Sequence, residues 1–278
     1  MKPIIFPNLG LEFNINPVAF SLFGKDIYWY GIIIVTGILI ALFFMKRDDQ
    51  KHGLKWDTVL DFLIIAIPIG IICARIYYVV FEWDYYKNNL GEIYKIWNGG
   101  IAIYGGIIGA IITAIFFCRY KKISFLSLCD YCAPYLPLVQ AIGRWGNFVN
   151  REAFGGITNS FFKMGIWEEN IGRYIFVHPT FLYESIINGL IFIFLYIKRK
   201  NSNIRGELFY WYMILYGIGR AFIEGLRTDS LYLFNFRVSQ VLAVLFAIFF
   251  GIILLKEKIK EKCKKDWQKK KNMVNFNI

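Results

Sequence analysis

The chain has 278 residues, of which 57% are hydrophobic and 19% aromatic, and its formal net charge is +12. Several apolar runs reach the roughly 20 residues that cross a bilayer, which excludes an ordinary water-soluble fold and leaves no stretch for a separate soluble domain. A basic chain raises the question of nucleic acid. Nine of its thirty-two basic residues, however, lie in a lysine-rich tail at 256–278, which suits an anionic cytoplasmic leaflet, so no nucleic-acid partner is expected.

The first apolar run begins only near Tyr28, and no cleavable signal peptide is expected. From there seven membrane helices are predicted, at about Tyr28–Met45, Val59–Val80, Ile101–Cys118, Phe125–Gly143, Pro179–Ile197, Leu208–Phe222 and Val238–Leu255. The fold class is therefore all-α and polytopic, a single integral-membrane domain with no internal repeat. The connection at 144–178 is long enough to form an external cap. Cys129 and Cys132 have redox spacing but lack a partner pair and sit in a membrane segment, where Cys behaves as a small hydrophobe.

Lysine and arginine in the connections set the orientation. Lys46–Asp57, Arg119–Ser124, Lys198–Arg205 and the tail hold twenty basic residues; the connections on the other side hold ten. This makes the N-terminus external and the C-terminus cytoplasmic. Five spans then bring ionisable residues to the outer half of the membrane, whereas the cytoplasmic half offers only Asp61 and Asp130. A transport path would need polar residues along its whole length, so this asymmetry predicts a site open to the outer leaflet.

The densest polar stretch is Gly143–Gly155, G-R-W-G-N-F-V-N-R-E-A-F-G, at the end of the fourth span. Polar groups this close to hydrocarbon cost several kcal/mol each unless satisfied. In the sixth span Tyr216, Arg220, Glu224 and Arg227 fall four, four and three apart, on one helical stripe. Two guanidiniums around one carboxylate leave positive charge suited to a phosphate. Asn147 and Asn150 could position a phosphate ester or clamp the chain's own backbone. Arg75 has two readings, snorkelling to the interface or a site role. His178, beside Pro179, reads as an interfacial histidine or a catalytic one. Gly99-Gly100 could let backbone amides approach an anion. These residues by themselves describe an anionic-lipid site on the outer face and leave its chemistry open.

The stretch from Gly143 resembles the signature of the bacterial prolipoprotein diacylglyceryl transferases. Further blocks match in order: W-Y-G from Trp29, A-R-I-Y-Y-V from Ala74, W-N-G-G-I-A-I-Y-G-G from Trp97, H-P-T-F-L-Y-E from His178 and Y-G-I-G-R-A-F-I-E-G-L-R-T-D from Tyr216. The resemblance implies a seven-span inner-membrane enzyme, active toward the outer face and without cofactor or metal. Its substrates would be phosphatidylglycerol and a prolipoprotein signal peptide whose lipobox cysteine receives the diacylglyceryl group. Carried over by position, Arg144 and Arg220 would hold the phosphate and Glu224 would orient Arg220. Asn147, Asn150, Glu152 and Gly155 would shape the headgroup pocket, with Tyr30 and Tyr216 lining it. Tyr104 stands where many members carry a histidine in H-G-G. An unperturbed tyrosine, with a pKa of about 10, is a poor general base, so either nearby arginines shift Tyr104, or it hydrogen-bonds and the thiol proton goes to Glu152 or to no strong base.

Overall fold

The computed structural model describes residues 2–48, 53–227, 232–233 and 236–275. Nine α-helices carry most of them: α1 (Trp29–Arg47), α2 (Trp56–Phe81), α3 (Trp83–Tyr86), α4 (Ile103–Lys121), α5 (Phe125–Cys132), α6 (Tyr135–Asn150), α7 (Thr180–Lys198), α8 (Glu207–Glu224) and α9 (Val238–Asn275). Among the described residues, five helices, α1, α2, α4, α7 and α9, are long and apolar enough to cross a bilayer; α5 and α6, broken at Ala133-Pro134, can be counted together as a sixth span. Their outer faces expose rows of Ile, Leu, Val and Phe that only a lipid environment tolerates at this density. The protein is thus a polytopic helical membrane protein. Helix α8 is 18 residues long but carries three charged residues, Glu207, Arg220 and Glu224, more than the apolar core of any of those five.

Short strands qualify the all-α expectation. β1 (Ile4–Phe6), β2 (Leu11–Phe13), β5 (Met164–Glu168) and β6 (Arg173–Val177) form a sheet in the order β2-β1-β5-β6. β3 (Val18–Leu22) pairs with β4 (Lys25–Tyr28), and β7 (Tyr232–Leu233) with β8 (Phe236–Arg237). The stretch expected to be a cap therefore contains a hairpin. Its strands are too short for periodicity to mark them against the long apolar runs around them. The basic tail differs as well. α9 runs through Leu255 to Asn275, 38 residues or about 57 Å of continuous helix, well beyond one hydrocarbon thickness.

The chain divides into two compact units, Met1–Met45 with Cys132–Ile278, and Lys46–Tyr131. In the first, α6 packs on α7, α7 on α8 and α8 on α9. Beneath the sheet, Ile4, Phe6, Met164, Ile166 and Val177 pack with Phe148 of α6 and Phe181 of α7, whose rings stack 4.7 Å apart. The sheet thus fixes the ends of the two helices that carry the polar stretch.

In the second unit α2 and α4 meet along a glycine seam. A Cβ on Gly105 would run into the Cys73 carbonyl and the Tyr77 and Ala74 backbone region, and one on Gly109 would lie 2.7 Å from the Cys73 Cβ. Small residues let two backbones approach closely where no hydrophobic force drives helices together. Gly105→Leu is expected to destabilise the protein by about 1–3 kcal/mol, read as a lower melting temperature in detergent. Gly189→Ala on α7, where a Cβ meets nothing within 4 Å, should leave the melting temperature unchanged or raise it. Equal behaviour of the two variants would contradict the seam.

Candidate functional site

Three helix ends converge in the first unit, the C-terminal turns of α6 and α8 and the N-terminal turns of α7, and each delivers charge. The centre is Glu184, one turn into α7 and only 4% exposed. One of its oxygens pairs with Arg144 of α6. The other lies 3.3 Å from Arg220 of α8 and 3.6 Å from Arg227 just past the end of α8. Arg220 also reaches Glu224 at 2.6 Å, the i,i+4 pair expected from their spacing. Among the described residues, three guanidiniums face two buried carboxylates here, one positive charge more than negative. The Arg144 and Arg220 side chains keep 24% and 22% of their surface exposed, and Arg227 11%, so the cluster is buried but not sealed.

The second arm of the site is the end of α6. Arg144 donates to the Asn147 Oδ1 at 3.2 Å, and the Asn147 Nδ2 donates to a carboxylate oxygen of Glu152 at 2.8 Å. Asn147 is buried, so it transmits position from Arg144 to Glu152, whose own side chain is exposed. The helix stops at Asn150 because Arg151 takes a left-handed conformation (φ 57°) and its N–H caps the Asn147 and Phe148 carbonyls. Ala153 is left-handed too (φ 54°). Two non-glycine residues in that region make a strained turn of the kind that accumulates at functional sites. The Asn150 Oδ1 is buried without a donor among the described residues.

Gly155 closes the turn. Its N–H donates to the His178 carbonyl at 2.9 Å, while the Gly156 N–H donates to the Leu226 carbonyl at 2.8 Å. A Cβ at Gly155 would sit 2.7 Å from the His178 Cβ and 2.8 Å from the Leu226 oxygen. Only glycine lets the α6 turn, the start of α7 and the Arg227 segment meet here. His178 therefore contributes backbone, and its ring Nδ1 lies 3.4 Å from the Tyr183 hydroxyl. Tyr30, at the start of α1, lays its ring where a side chain on Gly146 would be. Tyr216 is stacked on Tyr212 with ring centroids 5.6 Å apart.

The remaining sequence candidates belong to the Lys46–Tyr131 unit. Arg75 is 6% exposed and donates to four main-chain carbonyls, those of Glu92, Ile93, Gly99 and Gly100, at 2.7–2.8 Å. Its burial sets aside snorkelling to the interface. The guanidinium is spent as a clamp that organises the loop between α2 and α4. Gly99 and Gly100 (φ 86° and 78°) present their carbonyls to it, so their backbone faces a cation. Tyr104 opens α4, 60% exposed, its ring 6.4 Å from that of Tyr77.

Glu184 is the residue that sequence reasoning missed. The four-residue spacing on α8 already pairs Arg220 with Glu224, so the pattern along that helix gives no reason to look to α7 for a second carboxylate. The available signal was a lone glutamate in an apolar span, which needs a cationic partner from another helix.

Glu184→Gln is expected to leave three guanidiniums facing one another across a neutral amide and to destabilise the protein by about 3 kcal/mol or more. Denaturant or thermal unfolding checks this. A melting temperature within a degree of the parent's would show that Glu184 does not hold the cluster.

A family model described as prolipoprotein diacylglyceryl transferase matches residues 17–256. Among curated relatives, the phosphatidylglycerol--prolipoprotein diacylglyceryl transferase of Listeria monocytogenes serotype 4a is 52% identical over 247 residues, covering 86% of this chain and 89% of the relative. The proteins of that name from Lysinibacillus sphaericus and Clostridium novyi are 48% and 44% identical, covering 84% and 89% of this chain and 89% and 98% of the relatives.

Proposed function

The chain belongs to the prolipoprotein diacylglyceryl transferase family, and from that premise we propose that it transfers the diacylglyceryl group of phosphatidylglycerol to the lipobox cysteine thiol of prolipoproteins. This is the first step of bacterial lipoprotein maturation. The observation that carries the reading is the surplus guanidinium charge gathered on Glu184 by Arg144, Arg220 and Arg227. An anionic phosphodiester fits it, and a neutral lipid does not.

In the step proposed, the substrate thiolate attacks the glyceryl carbon bonded to the phosphate oxygen. The carbon–oxygen bond breaks as the carbon–sulfur bond forms, and glycerol phosphate departs with the electron pair. Thiol and lipid supply every atom of the products. Arg144 and Arg220 stabilise the charge that grows on the leaving phosphate, a role in which fixed cations act more strongly than water. Glu152, held by Asn147 and exposed, receives the thiol proton. Both oxygens of Glu184 are engaged by arginines, which suits it to positioning instead. Glu224 orients Arg220, and Gly155 lets the headgroup turn close. Tyr30 and Tyr216 line the pocket with Asn150. Arg75 supports the reaction through the loop it clamps, and we give Tyr104 a hydrogen-bonding role.

The protein is further proposed to lie in the bacterial inner membrane, with α1, α2, α4, the α5–α6 pair, α7, α8 and α9 as seven spans. The excess of basic residues in one set of connections supports an external N-terminus, a cytoplasmic C-terminus and a site open to the outer leaflet.

Arg220→Ala should lower transfer on the order of 10²–10³-fold or more while the protein stays folded. Glu152→Gln should lower it less, with recovery when the acceptor peptide is supplied as preformed thiolate at higher pH. Near-normal lipidation by Arg220→Ala would refute the phosphate assignment.

A further inference from the structure

One helical turn from the arginine cluster, towards the middle of the bundle, α7 and α8 carry a second polar pair. Asn188 follows Glu184 by four residues and Tyr216 precedes Arg220 by four, so each lies on the same face as the cluster residue next to it. These four side chains, with Ile187 and Ile223, line a cavity of about 10 Å³. A space of that size takes a single water-sized group. Asn188 is 4% exposed. Its Nδ2 donates to the Glu184 carbonyl at 2.8 Å, and its Oδ1 is buried with no donor among the described residues. Turning the amide over would set two oxygens against each other, so the oxygen must be the atom left facing the cavity. A buried carboxamide oxygen is unfavourable unless it accepts a hydrogen bond.

We infer that the Asn188 Oδ1 accepts a hydrogen bond from a hydroxyl donor seated in this cavity, against the Arg220–Glu184 pair, and that Asn188 is thereby a positioning residue for Arg220. The inference rests on the reading of the cluster as the phosphate site. The donor is a hydroxyl of the lipid headgroup or a water molecule, and the two sources share this chemistry. A seated hydroxyl can also meet the guanidinium or the carboxylate beside it. Arg220 would then be held against Glu184 and Glu224 from a third side, with its outward donors aimed at the phosphate.

Asn188→Leu keeps the shape and deletes the Oδ1 acceptor together with the Nδ2 donor to the Glu184 carbonyl, and Asn188→Thr returns an oxygen. If the oxygen were a bare orphan, removing it would raise the melting temperature. The inference predicts the opposite: Asn188→Leu melts below the parent protein and transfers diacylglyceryl from phosphatidylglycerol about tenfold more slowly, and Asn188→Thr recovers part of both. A melting temperature at or above the parent's overturns it, and so does equal loss in the two variants or a lower melting temperature with unchanged transfer. Phosphatidylethanol, whose headgroup has no hydroxyl, separates the sources. With a headgroup hydroxyl as donor, Asn188→Leu erases the preference for phosphatidylglycerol; with water, both lipids slow by the same factor. The melting comparison needs no turnover, so a parent protein without transferase activity would refute the functional reading and leave this inference tested on its own.

Discussion

A carboxylate inside a helical membrane bundle must be met by cations, and here one carboxylate is met by three. Glu184 is the point at which α6, α7 and the end of α8 are tied together, through Arg144, Arg220 and Arg227. Burial makes each of these pairs costly to break, since removal of one partner strands the others away from water. The rest of the site follows from that knot. Arg144 carries Asn147 and Glu152 with it, Arg220 carries Glu224, and the Arg227 segment is drawn onto Gly155, where nothing larger than a hydrogen fits.

The knot is also unbalanced, and that imbalance connects structure to chemistry. A fully neutral cluster would be purely structural. Among the described residues the arginines here exceed the buried carboxylates by one, and in the proposed reaction an incoming phosphate would complete the charge count. The fold orders these guanidiniums by themselves, and under the proposed function this would be the preorganisation that electrostatic catalysis requires. A site of this kind supplies leaving-group stabilisation and leaves the nucleophile to the substrate.

Much of this was legible in the sequence. The long apolar runs marked the membrane helices because nothing else accounts for such stretches, and Arg220 and Glu224 announced their pairing by a four-residue spacing. Contacts between distant segments were not legible. Glu184 finds its arginines 40 and 36 residues away along the chain, and no local pattern encodes that. Arg75 shows the same limit from the other side: an arginine in a span suggests a ligand, yet its donors are taken by four carbonyls of a loop about twenty residues on. The strands escaped notice because β1 and β2 have three residues each, and β1 finds its other partner, β5, about 160 residues further along.

The central claim is that this cluster serves diacylglyceryl transfer from an anionic lipid to a thiol. Its most direct test uses the purified protein with phosphatidylglycerol labelled in its acyl chains and a lipobox peptide, with a Cys→Ser peptide as control. The account predicts label on the cysteine peptide alone, with glycerol phosphate released in equal amount. Label on neither peptide, from folded protein that binds the lipid, would contradict it.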